Sequence, residues 1–237
     1  MLIYLGFDDT DDLDAPKGTG RLVREFTASL PETCHVRGVV RHQLPRMDDI
    51  PFTSNNSSAC ALVETDDGMD ISRLVQLATE HLLRECAPGS DPGLCVVPEH
   101  AVTPELVDFA KQTTGRRQTQ QDAMDATRSM ELHGLGGTND GIIGAAAAVG
   151  LTHFGWCGRF IEYGALRSLR APLTVGDVEN AGIRVVCVDR DPLVPLPQDA
   201  IADAYWIRPS LWAGTPTLQV RLREPGIWET AHGKRKK

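Results

Sequence analysis

The chain has 237 residues, 41% of them hydrophobic and 24% charged, with a formal net charge of −8. That length and balance allow one large domain or two small ones around a real hydrophobic core. They exclude a disordered chain, and the acidic excess argues against a protein whose whole surface is built for nucleic acid.

No apolar run approaches the ~20 residues of a membrane span, so no membrane partner is expected. The first apolar run, residues 2–7, is too short for a secretory leader and is followed at once by acids. Six cysteines (Cys34, Cys60, Cys86, Cys95, Cys157, Cys187) are scattered without a C-x-x-C pair. They read as buried thiols of a cytoplasmic protein rather than a zinc site or disulfide framework. The basic exceptions are the tail Lys234–Arg235–Lys236–Lys237 and the pair Arg116–Arg117, a candidate local patch.

In chain order, residues 2–7 form an aliphatic run ended by acids and predict a buried strand. Residues 18–30 predict a helix, with Leu22, Val23, Phe26 and Leu30 at helical spacing. Residues 36–44 predict a strand, then a Pro-punctuated loop to Pro51, then a strand at 58–64. Residues 66–69 read as a polar turn. Residues 71–84 predict an amphipathic helix, 93–98 a strand, and 104–111 a helix opened by proline. Residues 113–121 read as loop or helix end, and 123–132 carry no clear pattern. Residues 135–139 are a glycine-rich loop before a helix at 142–154. Strands are expected at 160–166, 183–189, 205–207 and 218–222, with 192–197 extended. The mixture predicts an α/β or α+β protein. The stretch between the first strands and the glycine-rich loop is compatible with a small βαββαβ insert.

Asp8–Asp9–Thr10–Asp11–Asp12 follows the first strand directly. Ligand-binding residues of open α/β sheets collect outside the carboxyl ends of strands. Crowded carboxylates repel and raise one another's pKa, and a divalent cation removes that cost. Mg²⁺ takes hard oxygens, commonly one or two carboxylates plus substrate phosphates. Asp8, Asp9 and Asp11 are therefore the candidate metal ligands; the alternative is a solvated acidic loop. For Asp8 and Asp9 to converge, the strand must turn near Asp9.

Two glycine-rich helix starts accompany the cluster, one around Lys17, Gly18, Thr19 and Gly20, the other from Gly134 to Gly141. Helix N-termini hold phosphate through free N–H groups, so Lys17, Gly18, Gly20, Gly136, Gly137, Thr138 and Gly141 are candidate nucleotide-binding positions. Neither loop matches the P-loop pattern, and tight-turn geometry is the alternative for each. Lys17 and Arg21 could offset charge on a transferring phosphoryl group. Residues 50–58, rich in amides and hydroxyls and including Asn56, read either as a strand-initiating turn or as a polar wall for a ligand. His42, just upstream, is a candidate acid or base or a structural histidine.

Gly6–Phe7–Asp8–Asp9–Thr10–Asp11 resembles the G-I-D-D-T-D opening of the archaeal tRNA agmatinylcytidine synthetase family, which modifies a minor isoleucine tRNA. Further similarities follow in order: Ile50, Pro51, Thr53, Asn56 and Ala59 with I-P-x-x-T-x-x-N-x-A; Asp91–Pro92–Gly93 with N-P-G; Gly141, Ile142, Ile143, Gly144, Ala145, Ala148 and Gly150 with a G-L-I-G-A-L-A-A-I-G helix; and Ile161–Glu162–Tyr163 with Arg167. The resemblance implies a kinase-like catalytic domain (1–65 with 133–237) and a ferredoxin-like domain (66–132), without the family's OB-fold and zinc ribbon. It implies ATP with Mg²⁺, metal ligation by Asp8, Asp9 and Asp11, catalysis involving Asp8, Asp9 and Thr19, and Thr19 as the nearest match to a phosphorylatable threonine.

The expected function is Mg–ATP-dependent phosphoryl transfer or ligase-like chemistry on a small molecule or nucleoside. The alternatives are tRNA modification with a partner that binds the RNA, and non-catalytic nucleotide binding with a regulatory role. Such chemistry depends on positioning and charge neutralisation rather than a nucleophilic triad, and the chain shows no G-x-S-x-G.

Overall fold

The computed structural model describes residues 1–50, 52–53, 55–66, 70–202 and 204–231. Pro51 and Ser54, positions 67–69 of the expected polar turn and the basic tail at 234–237 lie outside the described residues. The protein is mixed α/β and divides into two compact units, Met1–Phe154 and Gly155–Lys237.

In the first unit, strands β1 (Leu2–Asp8), β2 (Cys34–Gln43), β3 (Ser57–Thr65), β4 (Gly93–Pro98) and β5 (Glu131–Gly134) form a sheet in the order β5-β4-β1-β3-β2. All neighbours are antiparallel. Helix α1 (Thr19–Ala28) connects β1 to β2, and α2 (Ile71–Glu85) connects β3 to β4. The order 4-1-3-2 joined by two crossover helices is the ferredoxin-like βαββαβ arrangement. It occupies residues 2–98, whereas the insert expected at 66–132 contributes α2, β4, α3 (Pro104–Thr113), α4 (Gln120–Ala126) and β5 to the same unit. Hydrogen bonding places β4 directly beside β1.

The central strand β1 is apolar throughout because both of its faces are covered. Phe7 meets Phe26 of α1, with ring centroids 5.4 Å apart. On the other face lies α5 (Gly141–Phe154), with eleven buried residues among its fourteen. Its small side chains reflect close packing on two sides. A Cβ at Gly6 or Gly93 would overlap the α5 backbone at Ala145 or Gly141, and one at Gly150 would meet Leu106 and Ala110 of α3. Sequence chemistry also sets the helix starts. Asp70 caps α2, Thr103 with Pro104 starts α3, and Thr119 with Asp122 forms a capping box on α4. That box turns part of the expected polar loop at 113–121 into a helix start.

The second unit contains β6 (Arg159–Glu162), β7 (Leu173–Thr174), α6 (Val175–Asn180), β8 (Arg184–Cys187), β9 (Ala200–Ala202), β10 (Ser210–Trp212), β11 (Thr215–Glu224) and β12 (Ile227–Thr230). Its strands run β6-β10-β11-β12-β9-β7, with β8 parallel to β11. Buried Trp228 anchors its core, the indole N–H donating to Asp199 at 2.8 Å. The strand expected at 205–207 is instead a turn and bend, leaving Tyr205 and Trp206 exposed. Among the described residues, no helix is long and apolar enough to cross a membrane, and all six cysteines are free.

Candidate functional site

The carboxyl end of β1 opens into a cavity of about 710 Å³ within the first unit. The strand ends at Asp8, and Asp9 takes a left-handed backbone, φ 50°. Aspartate tolerates that conformation better than most residues. The turn brings the side chains of Asp8, Asp9, Asp11 and Asp12 to one cavity wall, instead of sending Asp8 and Asp9 to opposite faces of the sheet. Asp91 and Asp140, from the loops before β4 and α5, add two more carboxylates.

The electrostatics of this wall are unfavourable as it stands. Burial, then the Asp9 and Asp11 charges, push Asp8 up to about 8, although its carboxylate accepts the Asp9 N–H. Burial, Asp91, Asp11 and Asp140 push Asp9 up to about 6, opposed by the Asp91 N–H. Asp11 is also raised, chiefly by burial, while hydroxyls of Thr53 and Thr19 hold it down. Thr53 donates to Asp11 at 3.2 Å, and buried Thr10 donates to Thr19 Oγ1 at 3.1 Å. Thr10 and Thr19 thus form a short hydroxyl chain leading to Asp11.

Helix α5 fits against this wall because of one glycine. A Cβ at Gly144 would overlap the Asp8 carboxylate. Gly137, with φ 55°, passes Asp91 just as closely, and Thr138 Oγ1 donates to the same carboxylate. The lining also holds cations and amides: Arg116, Arg117 and Gln118 from the α3–α4 connection, Gln120 at the start of α4, which donates to the Asp140 carboxylate, and Asn55 and Asn56.

The sequence-based candidates divide in two. Asp8, Asp9, Asp11, Thr19, Asn56 and Thr138 border the cavity. Asn56 also donates to the Pro45 carbonyl at 2.7 Å, which fixes its loop. Gly18 lies behind Asp11, and Gly136, Gly137 and Gly141 pack on the loop at residues 90–93 rather than on open space. Gly20 lies inside α1. Lys17 turns away to Glu25 and Glu85, at 2.7 and 2.6 Å. His42 is buried against α5 with Nε2 2.8 Å from Thr152 Oγ1, and burial pushes its pKa down to about 3. It is a packed neutral imidazole away from the cavity. Gln118 and Gln120 carry no signal in the sequence, and Thr53 and Asp140 stand there only as members of the 50–58 stretch and of the Gly134–Gly141 loop. Asp91 was noted only as part of a pre-strand motif; an aspartate before a Pro–Gly strand start, and another closing a glycine-rich loop, were the available signals.

Among the described residues, no group of three or more His, Cys, Asp or Glu side chains is arranged as a metal cage. The donors are nonetheless all hard oxygens, and their raised pKa values call for a positive partner. That suits the mode in which one or two carboxylates share a Mg²⁺ with a ligand's own oxygens.

A ferredoxin-like core carrying α5 on its second face, with a carboxylate-rich cavity at the end of β1, defines a mixed α/β fold shared with solved RNA-modifying enzymes. The chain is similar to the crystal structure of apo TiaS, a tRNA agmatidine synthetase, at TM-score 0.54 and 24% identity, covering 63% of this chain and 35% of that one. It is also similar to TiaS solved with its tRNA and ATP, and to a tRNA fluorescent labeling enzyme, each at TM-score 0.55 and 25% identity over 63% of this chain and 36% of the other. The chain therefore spans little more than a third of the length of these proteins. No protein-family model and no curated protein matches it.

Proposed function

We propose that the first unit binds a Mg²⁺–nucleoside triphosphate, ATP by analogy with its structural neighbours, and that the protein uses it in a ligase-type modification of tRNA. The observation that carries this reading is the cavity wall itself, with Asp8 and Asp9 raised to about 8 and about 6 by burial and mutual repulsion. Groups perturbed in this way in a cleft mark functional sites more often than structural ones. The volume of about 710 Å³ falls in the usual ligand-pocket range of roughly 300–1,000 Å³.

Asp8 and Asp9 would hold the metal, with Asp11 positioned behind them by the Thr53 and Thr19 hydroxyls. Bound there, Mg²⁺ supplies neutralisation of phosphate charge and alignment of the transferring group. Arg116 and Arg117, which line the same cavity, would provide cations for the polyphosphate. The α5 N-terminal turn, held close by Gly144, keeps the Asp8 carboxyl walled in and raises the strength of each charge interaction. The acceptor we favour is tRNA. The free small molecule or nucleoside expected from sequence has no support from the neighbours, which act on or bind tRNA.

Calorimetry and a turnover assay test the reading. Mg–ATP should bind with divalent cation and fail without it, and ATP consumption should rise when unmodified tRNA is added. Absence of heat on adding Mg–ATP to the folded protein removes the nucleotide site. Binding with no stimulation by any tRNA removes the acceptor.

A further inference from the structure

The chain's charge is divided unevenly. Residues 1–154 hold 23 acidic and 12 basic side chains, a net of −11, whereas residues 155–231 hold 9 acidic and 8 basic, a net of −1. Within the second unit two aromatic rings are exposed, and two arginines lie against one of them. Tyr205 is 86% exposed and Trp206 67% exposed, on the turn that replaces the expected strand. The guanidinium carbons of Arg208 and Arg167 lie 5.1 and 5.7 Å from the Trp206 ring centroid. Arg159 donates to the Arg208 carbonyl at 3.2 Å, and Arg170 to the Arg167 carbonyl at 2.6 Å. Two guanidiniums thus lie against one exposed indole, and no ion pair among the described residues engages either.

We propose that Tyr205 and Trp206, with the Arg167 and Arg208 guanidiniums against the Trp206 ring, form a stacking platform for unpaired bases of an RNA strand. Exposed aromatic rings offer π-faces that bases stack on, and guanidiniums stack or donate to phosphate oxygens. An apolar protein partner would want aliphatic neighbours around the rings; cations in that place suit a polyanion that carries bases. Unpaired loops and ends expose bases for this purpose, and a duplex does not. The platform gives the RNA of the proposed function a place to be gripped, and in that respect rests on that reading. Its geometry comes from the second unit alone.

The test is fluorescence anisotropy of the full chain with a labelled 12-nucleotide single-stranded oligouridylate, with Mg–ATP calorimetry in parallel. The probe should bind at low salt and weaken as salt rises. Trp206→Ala and Tyr205→Ala should each weaken it at least fivefold, and Trp206→Phe should retain most of the affinity. Arg208→Ala should lower the salt slope by about one. Mg–ATP affinity should be unchanged in Trp206→Ala. No binding at 20–50 mM salt, scales at which phosphate contacts are strong, overturns the platform. So does an unchanged affinity in a folded Trp206→Ala variant. Equal binding of a duplex, or displacement by polyglutamate as readily as by RNA, also overturns it and points to general anion binding. RNA binding without Mg–ATP binding would sink the nucleotide cavity and leave the platform standing; the reverse result would do the opposite.

Discussion

The two units hold their charged groups differently. The first concentrates carboxylates on a concave wall, where burial and repulsion raise Asp8 to about 8. The second sets the exposed Arg167 and Arg208 guanidiniums against one exposed ring, where water reaches them. Confined like charges are costly unless something binds among them, so the first unit is poised to gain stability from a ligand. Exposed cations are cheap to maintain, so the second unit is poised to capture one. The contrast implies that neutralising the cavity carboxylates will move stability and function in opposite directions, and substitutions on the platform will move function alone.

The largest effect expected is at the cavity wall. Asp8→Asn and Asp9→Asn should each lower Mg-dependent ATP turnover by about 100-fold or more, since a charge aimed at the developing centre of a reaction is worth several kcal/mol. In apo protein at pH 8 the same Asp8→Asn change should raise stability by on the order of 1–2 kcal/mol, the usual range when a strained functional group is relieved. Thermal melts of wild type and variant, with and without Mg–ATP, measure both. A variant that is less stable than wild type in the apo state would break the comparison, because the carboxylate would then be supporting the fold.

Gly144 sharpens it. A methyl group there meets the Asp8 carboxylate before anything else. Gly144→Ala should displace that carboxylate and weaken Mg–ATP about tenfold, with an overpacking cost of about 1–3 kcal/mol. Gly150→Ala, which meets α3 and not the cavity, should carry a similar stability cost and leave Mg–ATP affinity within about twofold, the scatter of independent distant sites. Equal loss of binding in both variants would mean that α5 packing, not Asp8 placement, controls the cavity.

Stability should also depend on pH in a window that isolates Asp8. Its folded pKa of about 8 exceeds the ordinary 3.8, so between those values the folded state keeps a proton that the unfolded chain has lost. Stability therefore falls as pH rises through the window. Asp9 acts in the same sense but only up to about 6. Buried His42, pushed down to about 3 from 6.5, acts in the opposite sense below 6.5. From pH 6.5 to 8 the apo protein should lose about 1 kcal/mol, a discounted figure because Asp8 borders an open cavity and water screens it. Denaturant melts across that range check it, and the slope should vanish in Asp8→Asn.

Much of the first unit was legible in sequence because its signals are local. The buried strand at β1, the amphipathic α2 and the small-residue α5 each announce themselves by period or composition. The acidic cluster stands out in the sequence because it follows a buried strand directly, although a solvated loop is the common fate of a charge run and only the turn at Asp9 brings its carboxylates to the cavity. Asp91 and Asp140 do not stand out, since both join the wall through the long-range packing of α5 on β1 and β4. The ferredoxin-like order was also hidden: the pairing of β4 with β1 spans most of the unit, and nothing local encodes it. Tyr205–Trp206–Ile207 reads as a strand by propensity, yet the chain turns there, and only the structure reveals that its rings face water.

The smallest effect expected concerns Lys17, which sequence places beside the phosphates and the structure does not. Its ammonium is held by Glu25 at 2.7 Å and Glu85 at 2.6 Å, and Arg21 and Arg84 also reach those carboxylates. The group joins α1 to the end of α2 and holds their ends together. Lys17→Met keeps the length of the stem and removes the charge. It should cost no more than about 1 kcal/mol of stability, because the two glutamates are part-exposed and keep their arginine partners. Mg–ATP affinity should stay within about twofold, the level of a charge that is already compensated and screened. A tenfold loss of affinity in a variant with an unchanged melt would mean that Lys17 leaves its glutamates when nucleotide arrives, and the boundary between the cavity and its supporting shell would have to be redrawn to include α1.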